Sequence, residues 1–506
     1  DLGANALQLG EGGGERHHRE LREQLHHANV EDRVVDFVVV GAAGARRGGE
    51  HAAASRGLDP CANVLRRHEE IQPGRRYREA PAPEKYYSGR NPAYEKALTG
   101  MRAFISEGAE ANPLVTTLPE KIEKIDTISD EMRTDLYRQV TVAVETKIIP
   151  MYEDMISIFE SLLDDTNHDA GIWRLPEGDQ IYRNALQSNN STTLSADEIH
   201  NIGLSEVDRI EIEMQKILES EGYSEGSLVS RIRQLMELPE HNFPNTDEGR
   251  LEQIDYLHQI NDQIMENISD FFITIPPQPL EILRVPTYAE NSAPGGYYRP
   301  PALDGSAPGR FYINQKDTRD NPRWTLPTLM YHEGSPGHHF QLSAAQLVEN
   351  VPFLRKVSPF SSYAEGWALY SERIAAEDMG MYEDYPLGNL GRLQAEMFRA
   401  VRLVVDTGMH SKRWSRERAI DYMLSKTGMT EAEVTREIER YVVWPGQATA
   451  YKVGQIYMLR LRSMAEEELG DQFDIREFHE MILMNGAMPL EILEESVISW
   501  ISSFGQ

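Results

Sequence analysis

Around residue 332 the chain reads Tyr331-His332-Glu333-Gly334-Ser335-Pro336-Gly337-His338-His339, a His-Glu pair followed by two more histidines. Imidazole and carboxylate are the donors that hold a zinc ion where cysteine is not used. In the usual His-Glu-x-x-His arrangement the two histidines lie four residues apart on one helix face, and the adjacent glutamate acts as base toward water on the metal. Here Pro336 stands where that second histidine belongs. On an undisturbed helix His339, at i+7, returns to the face of His332, whereas His338 points elsewhere. But Pro336-Gly337 disturbs such a helix, because proline removes a donor and clashes with the preceding turn, and a widened turn swings His338 toward His332. Both histidines therefore stay open as the second ligand.

A third ligand has to come from another element. The stretch Ser361-Ser-Tyr363-Ala-Glu365-Gly-Trp367-Ala-Leu-Tyr370-Ser-Glu372 reads as a helix with Glu365 and Glu372 seven residues apart on one face. A carboxylate buried among Ala, Trp and Leu is costly unless paired, so a metal or an arginine is implied as partner. The plain alternative is an ordinary Glu–Arg pair with Arg373 or a neighbour.

Together with Trp444-Pro-Gly-Gln447-Ala-Thr-Ala-Tyr451-Lys-Val-Gly454, and with Gly295-Gly-Tyr-Tyr-Arg-Pro-Pro301 ahead of them, these runs resemble the bacterial DUF885 family over roughly residues 77 to 504. That family is similar to zinc metallopeptidases of the gluzincin type, which use two histidines and one glutamate as ligands. The resemblance implies His332, His338 and Glu365 as ligands of Zn2+. It also implies Glu333 as general base on the metal-bound water and then as acid toward the leaving amine.

Attack on an amide builds negative charge on the carbonyl oxygen, which calls for preorganised donors besides the metal. Tyr451 is the first candidate. His410 and Arg402 are candidates for substrate contact or for orienting other groups. The β-like run from Arg310 to Asn314, through Tyr312, could take an extended peptide at its edge and align it over the metal.

The elements that must position these residues are mainly helical. Ser195-Ala-Asp-Glu198 is a capping box, followed by apolar residues at spacings of three and four. Similar patterns recur over Glu120–Leu163, Arg250–Phe272, Leu390–Met409, Ser415–Leu424 and Ala448–Glu468. Pro276–Pro322, rich in Pro and Gly, breaks the pattern and holds two β-like runs, Glu281–Val285 and Arg310–Asn314. The expectation is a mainly α, multi-helix zincin-like catalytic fold with a small sheet or hairpin before the metal helix. Its parts are residues 77–275, an N-terminal helical region, and 276–506, the metal-binding catalytic region, with 77–506 as one compact unit the alternative. Residues 1–76 have Arg but no Lys and carry six of the fifteen histidines. They read as an unstructured or non-native leader, a His-rich metal-handling tail being the sharper alternative.

Composition excludes several classes of function. Fifty-one basic against 81 acidic residues give a net charge of −30, a field that repels nucleic-acid backbones and anionic lipid headgroups. The longest apolar stretch, around Val34 to Ala45, is too short to span a bilayer. A single cysteine, Cys61, rules out an intrachain disulfide framework. The reading is a zinc metallopeptidase cleaving short peptides in a periplasmic or secreted setting. A zinc amidase on non-peptide amides would use the same ligands. A catalytically silent helical binding protein that keeps the gluzincin-like shell without the metal is the contrasting class, against which Glu333 argues, because a structural site needs no base.

Overall fold

Side-chain caps start several of the helices, at Ser129, Ser195, Ser227, Thr246, Ser415, Thr430 and Asp474. The computed structural model describes residues 92–504, apart from residues 124, 126, 164–167, 288, 291–292, 350 and 358–359. The leader expected over residues 1–76, with its His-rich alternative, lies outside the described residues. The described ones all fall in one unit of the chain, Pro81–Gln506.

The longer helices before the sheet are α1 (Pro92–Ile105), α2 (Asp130–Ala143), α3 (Ile149–Leu163), α4 (Gly178–Asn190), α5 (Ala196–Ser220), α6 (Leu228–Glu237) and α7 (Asp247–Glu266). After it come α8 (Leu326–Glu333), α9 (His338–Leu347), α10 (Ser361–Glu377), α11 (Pro386–His410), α12 (Arg416–Thr427), α13 (Glu431–Val443), α14 (Ala450–Leu469), α15 (Ile475–Leu483) and α16 (Leu490–Ser503). The capping box at Ser195 forms with both of its reciprocal hydrogen bonds. A second box, Thr430 with Glu433, starts α13. The expected run from Glu120 to Leu163 is not continuous. Ser129 accepts a hydrogen bond from the Met132 N–H and starts α2 anew, and a π-helical turn at Val144–Ile148 joins α2 to α3.

The sheet has three strands, β1 (Leu280–Arg284), β2 (Gly296–Arg299) and β3 (Gly309–Ile313), in the order β1-β3-β2. β1 pairs with β3 in parallel and β2 with β3 antiparallel. The two expected β-like runs are thus neighbours, but not a hairpin, since the strand that turns back onto β3 is β2. β3 is the middle strand, and its main-chain groups are used on both sides. Addition of a peptide to its edge is therefore excluded, and Tyr312 does not serve that role. Its ring stacks instead on Tyr297 at 5.0 Å, with the Arg299 guanidinium over it.

Two helix pairs carry residues 276–506. α5 lies along α11, and Gly203 allows the approach: a Cβ there would stand 2.7 Å from Leu403 Cβ. Their apolar faces, with Val207, Ile210 and Met214 against Met397, Val401 and Val404, form the largest core. Side chains of this size are each stabilised by roughly 1.5–3 kcal/mol on burial. This contact joins the expected regions 77–275 and 276–506. α10 lies along α14, and here glycine faces glycine: a Cβ on Gly454 would meet Ser362 O at 2.0 Å and one on Gly366 would meet the Gly454 backbone at 2.5 Å. Close backbone approach is what glycine in these two motifs provides.

Candidate metal centre

α8 ends at Glu333, and the next helix begins at His338, so His332 and His338 sit on opposite sides of a helix break. Thr325 occupies the N-cap position of α8, but its side chain makes no capping bond; its hydroxyl donates to Pro322 O. The break is held from outside. Pro336 O accepts hydrogen bonds from the Trp367 indole N–H at 2.9 Å and from the Ser371 hydroxyl at 3.2 Å, both on α10. Gly337 folds back onto the end of α8, where a Cβ would lie 2.0 Å from His332 O, so only glycine fits the turn.

This turn decides between the two histidines. His332, His338 and Glu365 each present a ligand atom, all within 4.8 Å of one another. Glu365 Oε2 lies 3.6 Å from His332 Nε2 and 3.3 Å from His338 Nε2. Zinc bound tetrahedrally at about 2.0–2.1 Å spaces its ligand atoms about 3.4 Å apart, so both separations suit one shared ion. His339 points away. Its Nδ1 lies 2.9 Å from the Tyr298 hydroxyl and its Nε2 3.1 Å from Gln278 O, which uses both ring nitrogens, and burial pushes its pKa down to about 4.

The donor set fits a cation. Glu365 Oε2 and His338 Nδ1 are buried without a hydrogen-bond partner, an arrangement that costs free energy unless something else satisfies it. His332 is oriented from behind, its Nδ1 lying 2.7 Å from Glu372 Oε1. That contact sets the Nδ1–H tautomer and leaves Nε2 free toward Glu365, the carboxylate–histidine support typical of zinc ligands. Arg373, the plain alternative partner for these glutamates, pairs with Glu377 instead. Exposure indicates where the centre opens: the His332 side chain is 4% exposed, those of His338 and Glu365 13% and 21%. Solvent therefore reaches the side formed by His338 and Glu365.

The electrostatics follow from this packing. Burial opposes a charge on His332, but the adjoining carboxylates of Glu365 and Glu372 outweigh it and raise the pKa to about 9. Burial likewise opposes a charge on Glu365, and the His338 and His332 rings overcome it, holding the carboxyl well below the usual range. Glu333, also buried beside the two histidines, moves the other way: burial raises its pKa, partly offset by His332 and His338.

The remaining expected residues divide. Tyr451, near the start of α14, lies one turn before Gly454, the point of contact with α10. Burial, reinforced by the Glu365 charge, raises the pKa of its hydroxyl, which stays a donor at neutral pH. Arg402 covers the Tyr451 ring at 4.5 Å, donates to the Tyr441 hydroxyl at 2.8 Å and pairs with Glu437 at 3.2 Å. His410 is no substrate contact. It is fully buried, accepts from the Ile172 N–H at Nδ1 and donates to Tyr441 O from Nε2, each at 3.0 Å. Glu372 is the residue that sequence reasoning left without a role, although its i+7 spacing from Glu365 was the available signal.

Among the described residues no helix is long and apolar enough to cross a membrane. No curated protein matches the chain. The chain is similar to a candidate lipoprotein of known crystal structure from Colwellia psychrerythraea, with a TM-score of 0.79 and 42% identity over 81% of this chain and 70% of that one. A candidate lipoprotein of unknown function from Shewanella oneidensis shares the fold, with a TM-score of 0.60 and 20% identity over 80% of this chain and 72% of that one. The family model described as bacterial protein of unknown function (DUF885) matches residues 61–497, most of the length, and the chain belongs to that family.

Proposed function

We propose that the chain is a zinc-dependent hydrolase of amide bonds, most directly a metallopeptidase acting on short peptides, of the kind that uses two histidines and a glutamate as ligands. What carries the reading is the meeting of His332, His338 and Glu365 beside the buried carboxyl of Glu333. Zinc held by three protein ligands lowers the pKa of water from about 16 to about 7 and polarises a carbonyl. Glu333, next in sequence to a ligand and with its pKa raised by burial, accepts the proton of the attacking water and returns it to the leaving amine. The Tyr451 hydroxyl, kept protonated, donates to the oxygen on which charge develops, a contribution of about 3 kcal/mol for a well-placed donor. A non-peptide amide would be cleaved by the same groups.

A second reading has its own observation. Glu333 is only 6% exposed, and a base needs water at hand, so a metal-binding protein that turns nothing over also accounts for the cluster. One experiment separates them. Zinc is measured in the purified wild type and in Glu333→Gln, and both are offered a peptide library with and without chelator. The hydrolase reading expects about one zinc per chain in both, chelator-sensitive cleavage by the wild type, and loss of about 10²- to 10⁴-fold in the variant. Stoichiometric zinc without cleavage of any peptide or simple amide favours the metal-binding protein that turns nothing over, and absence of zinc ends both readings in favour of a silent protein that keeps the ligand shell without the metal.

The two solved relatives are each named as candidate lipoproteins. This supports a periplasmic or secreted setting.

A further inference from the structure

We propose that Arg399 and Arg402, one turn apart on α11, form a carboxylate-binding subsite that gives this centre its substrate class: peptides with a free C-terminal carboxylate next to the scissile bond. The proposal rests on the hydrolase reading above and adds to it where on the peptide the cut falls.

Arg402 is 6% exposed. Its Nε is occupied by the Tyr441 hydroxyl and its Nη2 by Glu437, so the plane of the guanidinium is fixed. Its Nη1 is buried and has no hydrogen-bond partner. A buried N–H of a cation left unpaired is unfavourable and rare in native structures. The group lies over the ring of Tyr451, whose hydroxyl feels the charge of Glu365, so the free donor belongs to the neighbourhood of the metal ligands.

Arg399 repeats the pattern. At i−3 from Arg402 it lies on the same side of α11. Its Nη1 donates only to Ala395 O of its own helix, and its Nε is buried without a partner. Its charge acts on Glu333, yet among the described residues no carboxylate pairs with it. In a chain of net charge −30, a half-buried arginine without an acidic partner stands out. Two guanidinium groups with spare N–H donors match a planar carboxylate, which accepts such bonds in pairs. For an enzyme of peptides, the anion present on every substrate whatever its side chains is the terminal carboxylate. Binding it beside the metal ligands places the last or the penultimate peptide bond over them, so the products are a shortened peptide and a free amino acid or dipeptide.

The test compares peptides identical except for a free or amidated C-terminus, digested by the zinc-loaded enzyme and read by mass spectrometry. The free acid should be cut within two residues of its end, with kcat/KM about 10- to 100-fold above that of the amide. Arg399→Gln should abolish that preference, mainly through KM, with zinc content and melting temperature unchanged. Equal cleavage of acid and amide, or cleavage far from the end, overturns the proposal. So does cleavage that follows an acidic side chain rather than the terminus. If nothing is cleaved, the hydrolase reading fails by itself, and calorimetry on the zinc-loaded Glu333→Gln protein still decides the subsite. Tighter binding of the acid than of the amide, lost in the Glu333→Gln/Arg399→Gln double variant, upholds it, and equal binding refutes it. Arg399 is preferred to Arg402 for the variant because the latter is tied into the Tyr441–Glu437 network.

Discussion

Metal binding at this centre should be opposed by protons, and the size of that opposition follows from His332. Its pKa of about 9 in the metal-free protein means that at pH 7 the ring carries a proton that zinc must displace. Two pH units of protonation weaken the apparent affinity about 100-fold, or about 2.7 kcal/mol. Measured by chelator competition, the zinc dissociation constant should therefore fall about tenfold per pH unit from pH 7 toward 9 and level off above. The metal-free fold behaves in the opposite sense. A group whose pKa rises on folding contributes stability that is complete below about pH 6.5 and is lost as pH climbs through about 9, so the melting-temperature gain on adding zinc should grow over that range. Glu372→Gln removes one of the three carboxylates, Glu365, Glu372 and Glu333, that raise this pKa. Its curve should level off at lower pH, while the limiting affinity drops about 10- to 100-fold because the ligand has lost its charged support. An affinity that is flat from pH 7 to 9 in the wild type, or a Glu372→Gln curve superimposable on it, would refute the assignment of His332 as a ligand held between two carboxylates.

Two further outcomes test the frame around the centre. Gly454→Ala drives a Cβ to 2.0 Å from Ser362 O; α10 and α14 must separate, with a loss of about 1–3 kcal/mol read in chemical denaturation and a weakening of zinc binding, and a variant as stable as wild type would contradict the close approach. Asp406, fully buried with Tyr182 and the Gly446 N–H as donors, has its pKa raised to about 7, burial outweighing those bonds. Because this carboxyl ionises more readily unfolded, its contribution falls as pH rises from about 4 to about 7, by roughly 4 kcal/mol. Asp406→Asn should consequently stabilise the protein at pH 8 relative to pH 5, and a melting difference independent of pH would show the carboxylate to be ionised throughout.

The chemistry of the centre was legible because it rests on residue types at short spacing. His332, Glu333 and the helix bearing Glu365 and Glu372 could be read along the chain. The second histidine could not, because periodicity extrapolates a straight helix, whereas the turn that presents His338 is fixed by Trp367 and Ser371 from α10, some thirty residues away in sequence. The same limit accounts for the other differences. β2 has four residues, too few to show alternation, so β3 read as an edge when it is the middle strand. His410 sits near Asp406 and Arg402 in sequence and drew attention for that reason. Its two nitrogens are consumed by Ile172 and Tyr441, contacts that only the packed structure supplies.

α10 performs separate tasks on different faces. Glu365 and Glu372, at i and i+7, meet the histidines; Trp367 and Ser371, at i and i+4, hold Pro336; Gly366 admits α14. A helix rotates about 100° per residue, so these groups keep their relative directions only while the helix is intact, and the turn bearing His338 is referred to the same rigid body as Glu365. Perturbations on it should then couple rather than add. Trp367→Phe removes the indole donor and leaves space in a fully buried position, a cost of roughly 2–3 kcal/mol to the fold, and frees the turn to move His338. Once that ligand is loose, the orientation of His332 by Glu372 matters less to a site no longer preorganised. The loss of zinc affinity in Trp367→Phe/Glu372→Gln should accordingly fall short of the sum of the single losses by about 0.5–1.5 kcal/mol. Strict additivity in the cycle would mean that the turn is held by its own sequence rather than by α10.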